Sequence, residues 1–264
     1  MALTKRQRRR LIRATLYTVA VVVVAAVAVL ADWGRIQRLF FNGDVIRRML
    51  PDVLTLAGRN TLIYTVGSFL IGIVLALILA LMRLSDVGPY RWFAMGYIEL
   101  FRGLPALITI ILFGFGLPIA FNGFRIPGGR LVTGALALGI VAAAYMAETI
   151  RAGIEAVPRG QSEAARSLGM SAPRAMASIV LPQAFRIIIP PLTNEFVLLI
   201  KDTSLLFVLG TTPAIRELTN FARTVMTETR NATPLTVVAI VYLLITLPLT
   251  WLVRRLEVRT ARAR

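Results

Sequence analysis

Residues Gln161 to Pro182 read QSEAARSLGMSAPRAMASIVLP, and the architecture follows from what surrounds them. Apolar runs long enough to cross a membrane lie on both sides, so the segment is a polar island in an oily chain. Within it, Glu163-Ala164-Ala165 is followed after three residues by Gly169, after nine more by Ile179, and then by Leu181-Pro182. Pro158 and Gly160 stop the helix that precedes it. Gln161 to Leu168 is predicted to form a short helix with small residues on one side, and Gly169 suits its C-terminal end. Ser171 is placed to cap a second short helix that tolerates Pro173 in its first turn. Two short helices joined at a glycine make a compact knob, exposed to water and held by the spans beside it.

The 264-residue composition supports a membrane setting: 57% of residues are hydrophobic and mean hydropathy is +0.73. A soluble domain stays nearer half apolar. The predicted fold class is therefore all-α, a polytopic helical membrane protein with about six transmembrane helices. The net charge of +17 would suit nucleic acid, but the cationic residues gather towards the two termini. Membrane topology and anionic lipid headgroups explain that placement better, and no nucleic-acid partner is expected. Without cysteine or histidine, disulfides, thiolate catalysis, histidine-ligated metals and histidine-dependent triads are excluded. No metal site is expected. No GxxxxGK[ST] phosphate cradle occurs, so any ATP hydrolysis belongs to another polypeptide and the chain is not expected to be an enzyme.

Residues 4–13 carry six cationic side chains, and Ala14 to Ala31 is almost wholly apolar. This is either a signal peptide, with small residues at Ala26 and Ala28, or a retained first span starting inside; the 18-residue length favours the span. Asp32 to Asp52 reads as an external amphipathic segment. A second span runs from about Ala57 to Met82, where Thr61, Thr65 and Ser68 are expected to bond back onto their own helix and Gly67 and Gly72 permit close packing. A third span ends near Ala120, a turn-rich external loop covers residues 121–130, and a fourth span runs from Leu131 to about Thr149. Leu181 to Gly210 forms a fifth span, which Pro190-Pro191 should kink or interrupt. Residues 211–233 are amphipathic and external, and Leu235 to Val253 is the sixth span. Six spans put both basic ends, and the polar island, on the cytoplasmic side.

The spacing of the island resembles the EAA loop of the membrane subunits of ATP-binding-cassette importers. Three further strings resemble the polar amino acid branch of that family: Glu99, Arg102 and Gly103 before Pro105; AYMAETIRAGI from Ala144 to Ile154; and KDTSL from Lys201 to Leu205. A glutamine common four residues after that proline in the branch is Thr109 here. The resemblance covers residues 57–255 as a permease core, with residues 1–56 an N-terminal addition and residues 256–264 a basic tail.

The resemblance implies a permease subunit of a binding-protein-dependent amino acid importer in a bacterial cell membrane. Its cargo would be a polar amino acid such as glutamate, glutamine or a basic amino acid, moved by alternating access. It implies two ATPase subunits carrying ATP and Mg, a second permease subunit (identical or related), and an extracellular or periplasmic substrate-binding protein. No cofactor is expected on this chain itself. Arg159, Gly160, Gln161, Glu163, Ala164, Ala165, Leu168 and Gly169 would couple to the ATPase. Charged groups in a span face protein or water, so Glu148 and Asp202 are candidates for the substrate's ammonium. Asn194, Thr203, Ser204 and Thr109 are candidates for its carboxylate, and Glu195 and Lys201 for either an internal ion pair or the pathway. The alternatives are an ion-coupled secondary transporter, a membrane scaffold without a pathway, and the same machine carrying an opine or another small polar solute.

Overall fold

The computed structural model describes residues 4–262, and thirteen α-helices occur among them. They are α1 Lys5–Leu30, α2 Trp33–Phe40, α3 Gly43–Asp52, α4 Arg59–Leu84, α5 Gly88–Gly103, α6 Ala106–Ile111, α7 Leu117–Ala120, α8 Gly129–Glu155, α9 Arg159–Ser167, α10 Ala172–Ala175, α11 Leu181–Asp202, α12 Leu218–Thr229 and α13 Thr233–Arg262. No strand is present among the described residues. Five helical stretches are long and apolar enough to cross a membrane, six if α5 and the stretch from α6 to α7 count as one bent span.

The core is a sandwich of α4 on α8, the most extensive helix pair in the molecule, with α11 laid across both. Small residues explain the closeness. A Cβ added to Gly139 would stand 3.0 Å from the Ser68 carbonyl oxygen, and one added to Gly72 would stand 3.2 Å from the Gly139 carbonyl. In lipid, apolar tails compete equally for apolar side chains, so such backbone approach is the main source of helix association. Alanines from 135 to 147 on α8 fill the seam, and Tyr64, Leu138, Met146 and Leu206 are almost fully buried around it. A second cluster joins α3, α12 and α13 through Met49, Leu218, Phe221 and Val238. By contrast, α1 buries none of its residues.

Prolines shape the spans, though not where the sequence suggested. The helix runs through Pro190 and Pro191 without a break, correcting the expected interruption; α8, α13 and α4 pack along it and hold it together despite two missing donors. Two of the three π-turns among the described residues fall directly before other prolines, and the third, Val53–Gly58, follows Pro51. Residues Met176–Val180 form a wide π-turn closed by the Leu181 N–H on the Met176 carbonyl, directly before Pro182. Residues Leu112–Gly116 do the same before Pro118, with Leu117 donating to Leu112. Widening the turn relieves the clash of each proline ring with the carbonyl behind it.

The third span also differs from expectation. Gly103 ends α5, Pro105 opens α6, and the two halves meet at 104°. The half from Ala106 to Ala120 is about 22 Å long at 1.5 Å per residue, shorter than the hydrocarbon core. Two of the threonine and serine assignments on α4 change as well. Thr65 bonds back to the Thr61 carbonyl at 2.8 Å, but the Thr61 hydroxyl accepts the Leu218 N–H at 3.1 Å, and Ser68 Oγ has no partner among the described residues.

Candidate functional site

The knob forms where expected and is built from fewer parts. The first helix, α9, ends in a Schellman motif: Gly169 at φ +86° donates to the Arg166 carbonyl, and Met170 donates to the Ala165 carbonyl. Only glycine adopts that φ cheaply, so the chain reverses there by design of its sequence. The second short helix is not separate. From Ala172 the chain passes through the π-turn straight into α11, so α10 is the first turn of a span. Ser171 occupies the cap position with extended backbone, but its side chain makes no capping hydrogen bond. One face of α9 is turned inward through Ala165, while Arg159, Gly160, Gln161, Glu163, Ala164 and Gly169 are exposed. Leu168 is 86% exposed, an apolar side chain presented with nothing of its own chain to cover it.

Above the knob, α6, α8 and α11 enclose a cavity of about 280 Å³. Its apolar walls are Leu104, Leu138, Val141 and Leu198, and its polar groups are Tyr145, Glu195 and Asp202. Glu195 and Asp202 are seven residues apart, two helical turns, which brings both carboxylates to one face of α11. Neither accepts a hydrogen bond or forms a close ion pair among the described residues. Tyr145 ties the floor together, its hydroxyl 3.5 Å from the Arg102 carbonyl oxygen and its ring 5.7 Å from the Arg102 guanidinium. The break between α5 and α6 is thereby held against α8, and Tyr97 adds a second tie to the Ile140 carbonyl at 2.8 Å.

The other candidates lie elsewhere. Glu148 is outside the cavity and pairs with Arg151, which also binds Glu155, forming a short ionic ladder down α8 towards the knob. Lys201 is exposed and forms no ion pair within 4 Å among the described residues, although it stands near enough for its charge to act on Asp202. Asn194 is exposed. Thr203 is fully buried and bonds to the Ile200 carbonyl at 2.6 Å. Thr109 is buried with an unpartnered hydroxyl, and Ser204 is half-buried outside the lining. Sequence reasoning passed over the inward role of Tyr145 and of Leu104 and Ala106; a proline directly after Leu104 was the available signal for a broken helix opening a cavity.

A larger groove of about 770 Å³ lies between α4 and α13, lined by Leu62, Ile63, Val66 and Leu244 with Arg59 as its one charged group. Apolar walls on a membrane-facing surface make it a packing groove rather than the site of polar chemistry.

Sequence analysis missed a polar hub at the opposite end from the knob. Glu217 is fully buried at the start of α12 and accepts the backbone N–H groups of Thr219 and Asn220. Asn60 donates to the carbonyls of Ala214 and Arg216, at 2.9 and 3.0 Å, and Tyr64 donates to that of Ile215 at 3.3 Å. Tyr242 from α13 reaches Thr219 and the carboxylate. Burial, opposed by these hydrogen bonds, pushes the Glu217 carboxyl up to about 7.

Comparison with known proteins bears on both ends of the molecule. Residues 69–262 match the family described as the binding-protein-dependent transport system inner membrane component. The chain is 40% identical over 198 residues to the probable glutamine ABC transporter permease protein GlnM of Bacillus subtilis (strain 168), covering 75% of this chain and 86% of that protein. It is 38% identical over 209 residues to the glutamate/aspartate import permease protein GltK of Escherichia coli O157:H7, covering 76% and 90%. A chain from the crystal structure of an amino acid ABC transporter with histidines is 34% identical and superposes with a TM-score of 0.72, over 81% of this chain and 96% of that one.

Proposed function

The chain belongs to the family of binding-protein-dependent transport system inner membrane components, and we propose that it works as the permease subunit of an ATP-driven amino acid importer. One observation carries the reading: α8 and α11, which wall the acid-bearing cavity, are the two helices whose inner ends the knob joins. A displacement of the knob is therefore a displacement of both walls. Gly153 on α8 meets Ile188 on α11 near those ends so closely that a Cβ there would overlap it, and the two helices move as a packed pair.

In this reading two ATPase subunits, which carry ATP and Mg, receive the knob. Leu168 is the apolar anchor, Arg159, Gln161 and Glu163 supply polar contacts at its rim, and the small surfaces of Gly160 and Ala164 allow close docking. A second permease subunit completes the pathway and an external binding protein delivers the cargo. ATP-driven closure pulls the knob, tilts α8 and α11, and exposes the cavity to one side and then the other; nucleotide drives the switch only through contacts that differ between the two states. Tyr145, Glu195 and Asp202 face the cargo, and Asp202 pairs with its α-ammonium group. Both basic termini lie in the cytoplasm.

The test is reconstitution of the full transporter in proteoliposomes with Gly169→Asp. The expected result is loss of transport-coupled ATP turnover. Full assembly with undiminished coupled turnover overturns the coupling role. Uptake that persists without any ATPase and collapses with an ionophore would instead identify an ion-coupled carrier.

A further inference from the structure

We propose that the groove between α4 and α13 holds one anionic phospholipid from the leaflet on the hub side, its phosphate on Arg59 and an acyl chain against Leu62, Val66 and Leu244. The two helices scarcely touch each other. They are bridged at one end by the π-turn Val53–Gly58 and along their length by α11, which leaves a hollow of about 770 Å³ between them. Leu62, Val66 and Leu244 stand exposed along it. An unfilled hollow forfeits the dispersion contacts of its walls, so in a bilayer something apolar lies in it.

Depth and charge identify the occupant. The lining stops at Gly67 on α4 and at Ile245 on α13, short of the midpoint of both helices. From Arg59 to Gly67 is about 12 Å at 1.5 Å per residue, close to half of the roughly 30 Å hydrocarbon core. A partner's transmembrane helix would need a groove through both leaflets, whereas an acyl chain needs only one. Arg59 stands at the hub end of the groove, where headgroups lie, beside the hub residue Asn60. It is exposed and forms no ion pair within 4 Å among the described residues. Its guanidinium suits a phosphate, which accepts two parallel hydrogen bonds from it. The lining holds no carboxylate that would meet the amine of a zwitterionic headgroup. Asp52 is exposed outside the lining, and Glu217 in the hub gives its oxygens to the N–H groups of Thr219 and Asn220. At the same end α2 and α3 pack against α13 and add exposed Arg35, Arg38, Arg47 and Arg48 against Asp32, Asp44 and Asp52. A second copy of the chain laid symmetrically on this groove would bring Arg59 towards Arg59, like charge to like charge.

The experiment places the full-length chain in nanodiscs of phosphatidylcholine that contain a little phosphatidylglycerol bearing a photoactivatable diazirine in its acyl chain. A parallel sample carries the same diazirine on phosphatidylcholine, and labelled residues are mapped by mass spectrometry. Labelling of Leu62, Val66 and Leu244 is read relative to Ile240 and Leu243, which are exposed or half-exposed on α13 outside the lining. That ratio is expected to be about fivefold higher with the phosphatidylglycerol probe, the order of one arginine's attraction for an anionic headgroup. Arg59→Gln should bring the two probes to parity, and Arg59→Lys should keep part of the excess. Val66→Trp, a change at an exposed position that fills the groove, should remove the excess at Leu62 and Leu244 while the chain stays monodisperse. Equal ratios in the parent chain overturn the anionic selection. An excess that survives Arg59→Gln removes Arg59 as the headgroup site, and one that survives Val66→Trp removes the groove. A groove that neither probe labels overturns the lipid; Leu62→Cys, in a chain with no other cysteine, would then form a disulfide-linked dimer if a second copy covers it.

Discussion

The two ends of the molecule solve opposite problems with similar residues. At the hub, most polar groups of the 213–220 turn are satisfied internally, the buried Arg216 Nε excepted: Asn60, Thr61, Tyr64 and Glu217 accept or donate between α4 and α12, and Tyr242 closes the ring from α13. At the knob, Arg159, Gln161 and Glu163 face solvent, Leu168 is left bare, and the helix leans on the rest through Ala165. Buried polar groups must find partners within the chain or lose more than an ordinary hydrogen bond contributes. Exposed ones need none. The hub therefore holds its shape through its own contacts, and the knob leaves its polar groups and Leu168 to its surroundings.

Four measurements sharpen or break this contrast. The largest effect is expected for Glu217→Ala, which strands two backbone donors and the Tyr242 hydroxyl in a buried site; unfolding in detergent should report a loss of about 4 kcal/mol. A value near zero would mean that the hub is not a structural lock. Next comes pH. The Glu217 carboxyl is raised in the folded state to about 7, so its stabilising contribution is complete below the unfolded value near 4.5 and is lost as pH rises through 7. Between pH 5 and 8 the melting temperature should fall by the equivalent of up to about 3 kcal/mol, and Glu217→Gln should flatten that slope. A slope unchanged in the variant assigns the titration elsewhere.

At the knob the stability effects are smaller and the functional ones larger. Gly169→Ala forces a side chain into φ +86° and should cost about 1 kcal/mol, read as increased hydrogen exchange confined to residues around the turn. Smallest of all, Leu168→Ser should leave stability within about 0.5 kcal/mol of the parent. In a pull-down with the ATPase subunits the same change should still weaken association. Leu168→Ser with undiminished association, or with a large loss of stability, would break the contrast, since the bare leucine would then have neither a partner nor an exposed place.

Much of this was legible from residue order. The Gly169 turn, the short helix before it and the spans on either side follow from spacing, because a glycine at a helix end and an apolar run of bilayer length each have one inexpensive conformation. Asp202 stood out as a charge inside a span. Less legible were effects that depend on what packs opposite. Pro190-Pro191 reads as a break, yet neighbouring helices carry α11 through it; Pro105 and Pro182 redirect or widen the backbone instead. Glu148 and Glu195 look alike as spaced carboxylates, and they part because Arg151 lies one turn below Glu148 while Glu195 lines a cavity whose described walls carry no lysine or arginine.

Local chemistry alone therefore determined that this chain is a helical membrane bundle with one polar knob between two of its later spans. Only the tertiary structure decided that the two helices leaving that knob close around Glu195 and Asp202, and that Thr61 and Glu217 clamp the far end. Helix formation in lipid is dictated within a segment, by its own backbone hydrogen bonds. Which carboxylates share a cavity depends on helix rotation and crossing, and these are set by close contacts such as Gly72 on Gly139 and Gly153 on Ile188, between residues far apart in sequence.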